Sequence, residues 1–569
     1  VRAQHGISGL SIAVVDDQHV VWSEGFGYSD AARHKPATPD TLYPVGSISK
    51  LFTATAVMQL VDQGAVALDA PLSRYLPQFQ IRSRFTGSPP ITIRSVLTHH
   101  SGLPGDLTQG MWSDASFTTV AERLWEADTA YPADLVFNYS NLGYTLLGHM
   151  IEEVTGEDFS TYLEKAVLRP LGMVHSGFVL KPRMQPLLSK AYREGRECQP
   201  LPIRDIPALG LYASVQDLSR LIQMVFAEGR PVLRVETLKA MLAVQNAAMS
   251  LDFDTHTGLG WFLDNEAVPG VGVVAGHGGT TPWSNSQLMV LPEHKLGVVV
   301  LSNTGNTRQA VTSLAEEALR LALEYKTGIR SPSRPLTTAH PGIGFGAQAG
   351  ELAGRYATDL GLLAISPKRD KVCTCLTGRT FDLIPYPDGW FGVNGLSLSG
   401  PASNPGPYQA LSQLRVSTIK VMGREVMVVQ EGSRHARLLG EKLAALAIPD
   451  GWRRRLGKYQ VLNADPGFPM ADIVIHEQNG VLCLMYRMPV LSSHRIRVPI
   501  QAISDTEAVV LGLGRTRGET LRVTRVNGEE RLHYSGYEMR RSWTTDQELD
   551  DRHSLLDPRR LLSFRDLGQ

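Results

Sequence analysis

Apolar and polar positions follow two different rhythms along the first 330 residues. Residues 9–28, from GLSIAVVDD to VVWSEGFG, read as two strands turning at Asp16-Asp17-Gln18. After LYPVGSISK the period lengthens. Leu51, Ala54, Val57, Met58 and Val61 recur at three- and four-residue steps, which predicts a helix with Gly64 as its C-cap. ITIRSVLTHHSGLP (91–104) reads as a short helix ending in Gly102 and Pro104. FNYSNLGYTLLGHMIEEVTG (137–156) reads as a loop followed by an amphipathic helix capped by Gly156, with more helices at 158–168, 214–227 and 235–243. Residues 271–302 read as three antiparallel strands with turns at Gly278-Gly279 and Glu293-His294, and a helix at 307–325 closes the region. Strands at both ends and helices between them predict an α/β sandwich over residues 1–326: one antiparallel sheet, built from both ends of the region and covered by helices.

Residues 327–349 are rich in Pro, Gly, Ser and Thr, lack periodicity and read as a linker. Beyond them short strands come at regular spacing, with turn signals at Asp388-Gly389, Asn479-Gly480 and Asn527-Gly528 and a clear hairpin at 471–487. LAGRY (352–356) and LGKY (456–459) each open a segment of about a hundred residues, a weak internal echo. The region is expected to form two antiparallel β-barrels, 350–448 and 451–545, which by closing avoid exposed edges; one larger β domain is the alternative. The charged tail, 546–569, is expected to be peripheral.

Composition narrows the function. At 569 residues the chain is too long for one core. Lys+Arg and Asp+Glu both number 56, so the formal net charge is zero, which argues against nucleic acid or an anionic membrane as partner. No apolar run reaches the ~18 residues of a membrane span. Of the four cysteines, Cys373 and Cys375 are too close for a usual zinc pair, no Cys or His nearby completes four ligands, and buried structural thiols are expected. The sequence starts at Val1, without Met, and enters a hairpin almost at once. An upstream segment is expected to have been removed, and an exported, periplasmic or secreted location is the expectation.

Candidate chemistry begins with Ser47 and Lys50, at i and i+3, which project from one face of a helix one turn apart. Ser47 falls at the helix start, where free N–H groups and the positive end of the dipole favour a developing alkoxide. The plain alternative is an N-cap followed by a solvated lysine. A serine nucleophile also needs a base, an oxyanion hole and a proton donor for the leaving group. Tyr139-Ser140-Asn141 places a phenol and a carboxamide two residues apart before a helix. His277-Gly278-Gly279-Thr280, on a strand, offers glycines that let a substrate backbone approach and a free Thr280 N–H. LTHHSGLP is read as a scaffold turn. Taken singly, Tyr139 could be a core aromatic, Asn141 an N-cap and His277 a satisfied core histidine.

S-x-x-K at 47–50, Tyr-x-Asn at 139–141 and His-x-Gly at 277–279, in that order and with VLTHHSGL, ALGLYASVQDLSRL, GLGW and GHGG…LGVVVLSN, resemble the motifs of serine hydrolases related to class C β-lactamases and penicillin-binding proteins. The resemblance covers residues 9–325. The trailing β regions resemble those of D-stereospecific aminopeptidases and, more loosely, the lipocalin-like domain of other members. The resemblance implies an acyl-enzyme on Ser47, an oxyanion held by the Ser47 and Thr280 N–H groups, Lys50 and Tyr139 sharing proton transfer, and Asn141 orienting the substrate. No metal or organic cofactor is implied. The β-lactamases carry Lys where His277 stands, and losing that fixed cation puts strong β-lactamase or DD-carboxypeptidase activity in doubt. The expected substrates are small peptides, cleaved at amide bonds as in D-aminopeptidases. A carboxylesterase on short acyl esters is the alternative, followed by a weak β-lactamase or a non-turning-over penicillin-binding sensor.

Overall fold

A computed structural model describes residues 1–264, 267–330, 349–359, 361–368, 371–376, 379–386, 388–393, 414–431, 436–444, 447–465, 467–491 and 495–542. Most of the expected linker and the whole 546–569 tail lie outside the described residues.

The N-terminal region is built on an eight-stranded antiparallel sheet. Its strands are β1 (Gly9–Asp16), β2 (His19–Asp30), β3 (Lys35–Pro36), β4 (His256–Thr257), β5 (Phe262–Asp264), β6 (Val274–Thr281), β7 (Ser284–Leu291) and β8 (Leu296–Ser302). Their order across the sheet is β3-β2-β1-β8-β7-β6-β5-β4. The first and last strands of the region meet at the centre, where Ile12 pairs with Val300. Alternation splits each central strand between two cores. Ala13, Val15, Val299 and Leu301 face the large helical core, while Ile12, Val14, Val298 and Val300 face the opposite layer. That layer is one helix, α5 (Arg308–Thr327), packed through Val311, Ala315, Leu319 and Leu323. On the other face lie α1 (Ser49–Asp62), α2 (Ile93–Leu97), α3 (Asn141–Thr155) and α4 (Val215–Phe226). The expected α/β sandwich is the observed one.

Two local expectations are corrected. Gly278-Gly279 is not a turn: β6 runs through both, pairing Gly278 with Gln287 and Gly279 with Ser286, and the chain reverses at Pro282-Trp283. The helix in 91–104 ends at Leu97 and not at Gly102, because His99 takes a positive φ of 64° and leads the chain into an irregular loop.

Beyond residue 349 the chain forms two closed eight-stranded antiparallel barrels, not one larger domain. The first closes by pairing Gly354–Thr358 with Arg437–Lys442, the second by pairing Gly457–Val461 with Tyr537–Arg541. The GRY/GKY echo has a structural cause. In each barrel the opening tyrosine, Tyr356 or Tyr459, donates its hydroxyl at 2.8 Å to the carbonyl four residues back, Leu352 or Arg455, so that a short N-terminal segment is tied to the first strand.

Candidate active site

Ser47 sits on a tight 3-10 turn, Gly46–Ile48, that runs directly into α1. The turn is clamped from both sides. The Ser49 hydroxyl donates to the Gly46 carbonyl at 2.6 Å and accepts from the Leu211 N–H at 3.0 Å, and the Ser286 hydroxyl donates to the Val45 carbonyl at 2.8 Å. Strand β6 presses onto this turn so closely that side chains are excluded. A Cβ on Gly46, at φ 54°, would lie 2.9 Å from the Thr280 nitrogen, and one on Gly279 would lie 1.9 Å from the Val45 oxygen. Gly279 therefore serves contact with the protein's own backbone, where the sequence had pointed to a substrate's. The close approach sets the Thr280 nitrogen against Gly46, the residue before Ser47. The Thr280 hydroxyl donates to Asn285 Oδ1 at 3.3 Å and accepts from Arg308 Nη1 at 3.2 Å.

Lys50, one turn on from Ser47, is fully buried. Its Nζ lies 3.2 Å from Ser47 Oγ, 2.7 Å from Asn141 Oδ1 and 3.0 Å from the Ala208 carbonyl. A neutral amine offers two N–H donors and one lone pair. Here Nζ donates to the Ser47 hydroxyl oxygen and to two carbonyl oxygens, all neutral groups, and loss of one proton would free a lone pair toward Ser47. Burial, then the nearby Arg515 guanidinium, drives the Lys50 pKa well below its ordinary value, against the smaller pull of Asp106 and Asp205.

Tyr139 precedes α3, whose N-cap Ser140 accepts from the Gly143 N–H at 2.9 Å. The phenol is buried, and burial pushes its pKa upward, so it stays protonated. Its ring lies under Lys50 Nζ at 4.8 Å and tilts against His99 at 4.3 Å between centroids. The Tyr139 hydroxyl is near enough to Ser47 for the serine to offset part of that upward shift, yet its geometry makes no satisfying hydrogen bond. His277, also buried, donates from Nδ1 to the Gly278 carbonyl at 2.6 Å, which leaves Nε2 as a buried acceptor without a partner among the described residues. Burial is the main cause that pulls its pKa down to about 3, so it is a neutral imidazole at physiological pH. Among the described residues, two buried polar atoms, the Tyr139 phenol and His277 Nε2, thus lack a hydrogen-bond partner, on rings 6.3 Å apart.

LTHHSGLP is a scaffold, as the sequence implied. His99 Nδ1 accepts from the Ser140 N–H at 3.0 Å, and His100 Nε2 meets Asp252 at 2.7 Å. Two polar participants escaped the sequence reading. Asp106 accepts from Asn141 Nδ2 at 2.7 Å through one oxygen and from Arg515 Nη2 at 2.7 Å through the other. Arg515 comes from the second barrel, and its guanidinium lies 5.0 Å from the centre of the Tyr139 ring. The only local hint was GLGRTRG (512–518), a glycine-rich loop carrying two arginines. Among the described residues no three His, Cys, Asp or Glu side chains group so as to hold a metal ion, and no helix is long and apolar enough to cross a membrane.

With this geometry in place, comparison with known proteins is decisive for the family. The family described as Beta-lactamase matches residues 1–323. The chain belongs to the beta-lactamase family. Penicillin-binding protein 4 of Amycolatopsis lactamdurans is 30% identical over 363 residues, covering 60% of this chain and 91% of that protein. Protein flp of Staphylococcus aureus (strain COL) is 28% identical over 318 residues, and the match covers 52% of this chain and 60% of that protein's length. The octameric penicillin-binding protein homologue from Pyrococcus abyssi superposes with a TM-score of 0.50 at 25% identity, covering 77% of this chain and 97% of its own. SurE, solved with D-Leu, gives 0.54 at 22%, covering 77% and 96%. Both structural matches extend past the catalytic sandwich, and the chain carries the family's serine hydrolase fold.

Proposed function

We propose that this member of the beta-lactamase family is a serine hydrolase that forms an acyl-enzyme on Ser47 and cleaves amide bonds of small peptides. The observation that carries the reading is the buried Lys50 amine, 3.2 Å from Ser47 Oγ and hydrogen-bonded, among the described residues, to neutral groups alone. Held neutral, it can accept the Ser47 proton as Oγ attacks the carbonyl carbon. The N–H groups of Ser47 and Thr280 then receive the oxyanion. Tyr139, protonated and aimed at Ser47, passes a proton to the departing amine and later helps to activate water. Asn141, fixed by Lys50 and Asp106, is left to orient the substrate near its other face. Neutral His277 gives no cation to a substrate carboxylate, which speaks against β-lactam antibiotics as preferred substrates.

A second reading, a carboxylesterase, draws on one observation. Burial makes Tyr139 a weaker acid, and an alkoxide or phenolate leaving group asks less of it than an amine. A panel of L- and D-aminoacyl p-nitroanilides, p-nitrophenyl esters of several lengths and a chromogenic cephalosporin, run beside Ser47→Ala, separates the readings. Turnover of anilides, lost in Ser47→Ala, is expected. Hydrolysis of esters alone would establish the esterase, and activity surviving in Ser47→Ala would overturn both.

A further inference from the structure

Four hydrogen-bonded contacts run from the second barrel to the nucleophile: Arg515 to Asp106 at 2.7 Å, Asp106 to Asn141 at 2.7 Å, Asn141 to Lys50 at 2.7 Å and Lys50 to Ser47 at 3.2 Å. The loop that delivers Arg515 is clamped by all three units of the molecule. Tyr131 of the sandwich donates its hydroxyl to the Gly512 and Gly514 carbonyls, each at 3.1 Å. Arg517 Nη2 donates to the Thr358 carbonyl of the first barrel at 2.9 Å. Gly518 lies so near the sandwich that a Cβ would stand 2.4 Å from the Ala130 oxygen. Gly105 leaves room for the arginine stem, since a Cβ there would meet Arg515 Cγ at 3.1 Å. A long cationic side chain is thus held in one place, beside the reacting groups, by a loop with little freedom to move.

We propose that Arg515 is a positioning residue for catalysis: it holds Asp106, and through it Asn141 and Lys50, and it balances the Asp106 carboxylate so that no uncompensated anion faces the lysine. The proposal rests on the Ser47–Lys50 reading above. Its physical content is electrostatic. Around Lys50 stand the rings of Tyr139 and Tyr144, the neutral imidazoles of His99 and His277, and the charges of Asp106, Asp205 and Arg515. Asp205 has its own cation, Arg204 Nε at 2.6 Å. Asp106 has only Arg515 as an ion-pair partner among the described residues. Remove the guanidinium and the lone Asp106 carboxylate stabilises the ammonium form of Lys50. Remove the carboxylate and Arg515 disfavours that form.

The test is the pH dependence of Ser47 acylation by a fluorophosphonate in the full-length chain, with the labelled residue mapped by mass spectrometry. Acylation needs neutral Lys50, so the rate climbs with pH through the lysine's pKa. Arg515→Met is expected to move this acid limb up by about one pH unit, Asp106→Asn to move it down by a similar amount, and the double variant to return it close to the wild type. Arg515→Lys, which keeps the charge, should restore most of the wild-type limb. A merely structural arginine would lower the plateau of every variant without moving the limbs in opposite directions, and that result overturns the proposal. If Arg515→Met does not fold by circular dichroism, Asp106→Asn and Arg515→Lys still decide, since an unmoved or upward limb in Asp106→Asn is incompatible with the charge balance. A wild type labelled on a serine other than Ser47 would instead overturn the underlying reading, and the proposal with it.

Discussion

The two barrels have the same strand count and the same closure, yet they relate to the catalytic sandwich in different ways. The core of the second barrel is continuous with that of the sandwich. Trp452, Phe468, Ile475, Leu484, Val498 and Tyr537 belong to one continuous apolar cluster with the sandwich helices, joined where Phe468 stacks on Trp112 at 5.4 Å between ring centroids. The first barrel closes around a private core that includes Tyr356, Phe381, Met427 and Leu439. It touches the sandwich through a small patch, Val426 with Leu251, and through two hydrogen bonds, the Asp254 N–H to the Ala436 carbonyl at 3.1 Å and the Ala436 N–H to the Asp254 carboxylate at 2.7 Å. The second barrel also sends Arg515 to the active site, whereas the nearest contribution of the first is to brace the loop that carries it. Strand pattern makes a barrel; the residues left outside its ladder decide whether it becomes part of another domain.

The contrast can be broken most directly by truncation. A chain ending at residue 448 keeps the first barrel and loses the second, which uncovers Trp112 and Leu107. It is expected to lose soluble folding and Ser47 labelling together, as read by size-exclusion chromatography, circular dichroism and fluorophosphonate labelling. A folded, labelled product would mean that the second barrel is as separable as the first. At the seam itself, Trp112→Ala should cost about 3–5 kcal/mol, the range for removing a buried large aromatic. Ser47 labelling and tryptophan fluorescence should then fail at the same lowered urea concentration, because sandwich and barrel share one core. Two resolved transitions would separate the two units after all.

Met427→Ala sharpens the other side. It should cost about 2–5 kcal/mol, but only to the first barrel, whose core encloses it. An early partial loss of β-structure signal is expected, with the midpoint for Ser47 labelling unmoved; a common shift of both would contradict a private core.

The smallest effect concerns two carboxyls at the three-way junction, Asp359 of the first barrel and Glu519 of the second. Burial raises each to about 7, Glu519 with the charge of Asp106 as a second cause. An acid whose pKa is raised by folding favours the native state while protonated. Stability should therefore fall as pH climbs from about 4.5 to about 7. Glu519→Gln and Asp359→Asn should each flatten this slope, making the protein more stable than wild type by about 1–2 kcal/mol at pH 8 and no more stable at pH 4. Urea midpoints at the two pH values check this, and equal differences at both would show that neither carboxyl is held protonated.

Much of the sandwich was legible because its signals are local. The helix period after Ser47, the strand period of residues 9–28 and the ends of α3 and α5 need only neighbours a few residues away. Ser47 and Lys50 were legible for the same reason, as two positions on one turn, and Tyr139 with Asn141 as two positions on one loop. The opening tyrosines of the barrels showed through as an echo because each bonds four residues back. Gly278-Gly279 misled because two glycines look alike whether they bend the chain or merely let it pass close to another. Here they stay extended, and Val45 is what Gly279 passes.

By itself, then, the sequence determined the periodic elements, the closed strand-rich regions and the candidate groups that the proposed acyl transfer uses, since each depends on spacing along the chain. Tertiary structure alone decided that Lys50 meets only neutral partners, that His277 is desolvated to neutrality, and that Asp106 finds Arg515 across 409 residues. Burial and long-range charge leave no periodic trace in a chain. They arise from which surfaces come to lie together, and here the second barrel brings its cation to a core that it shares.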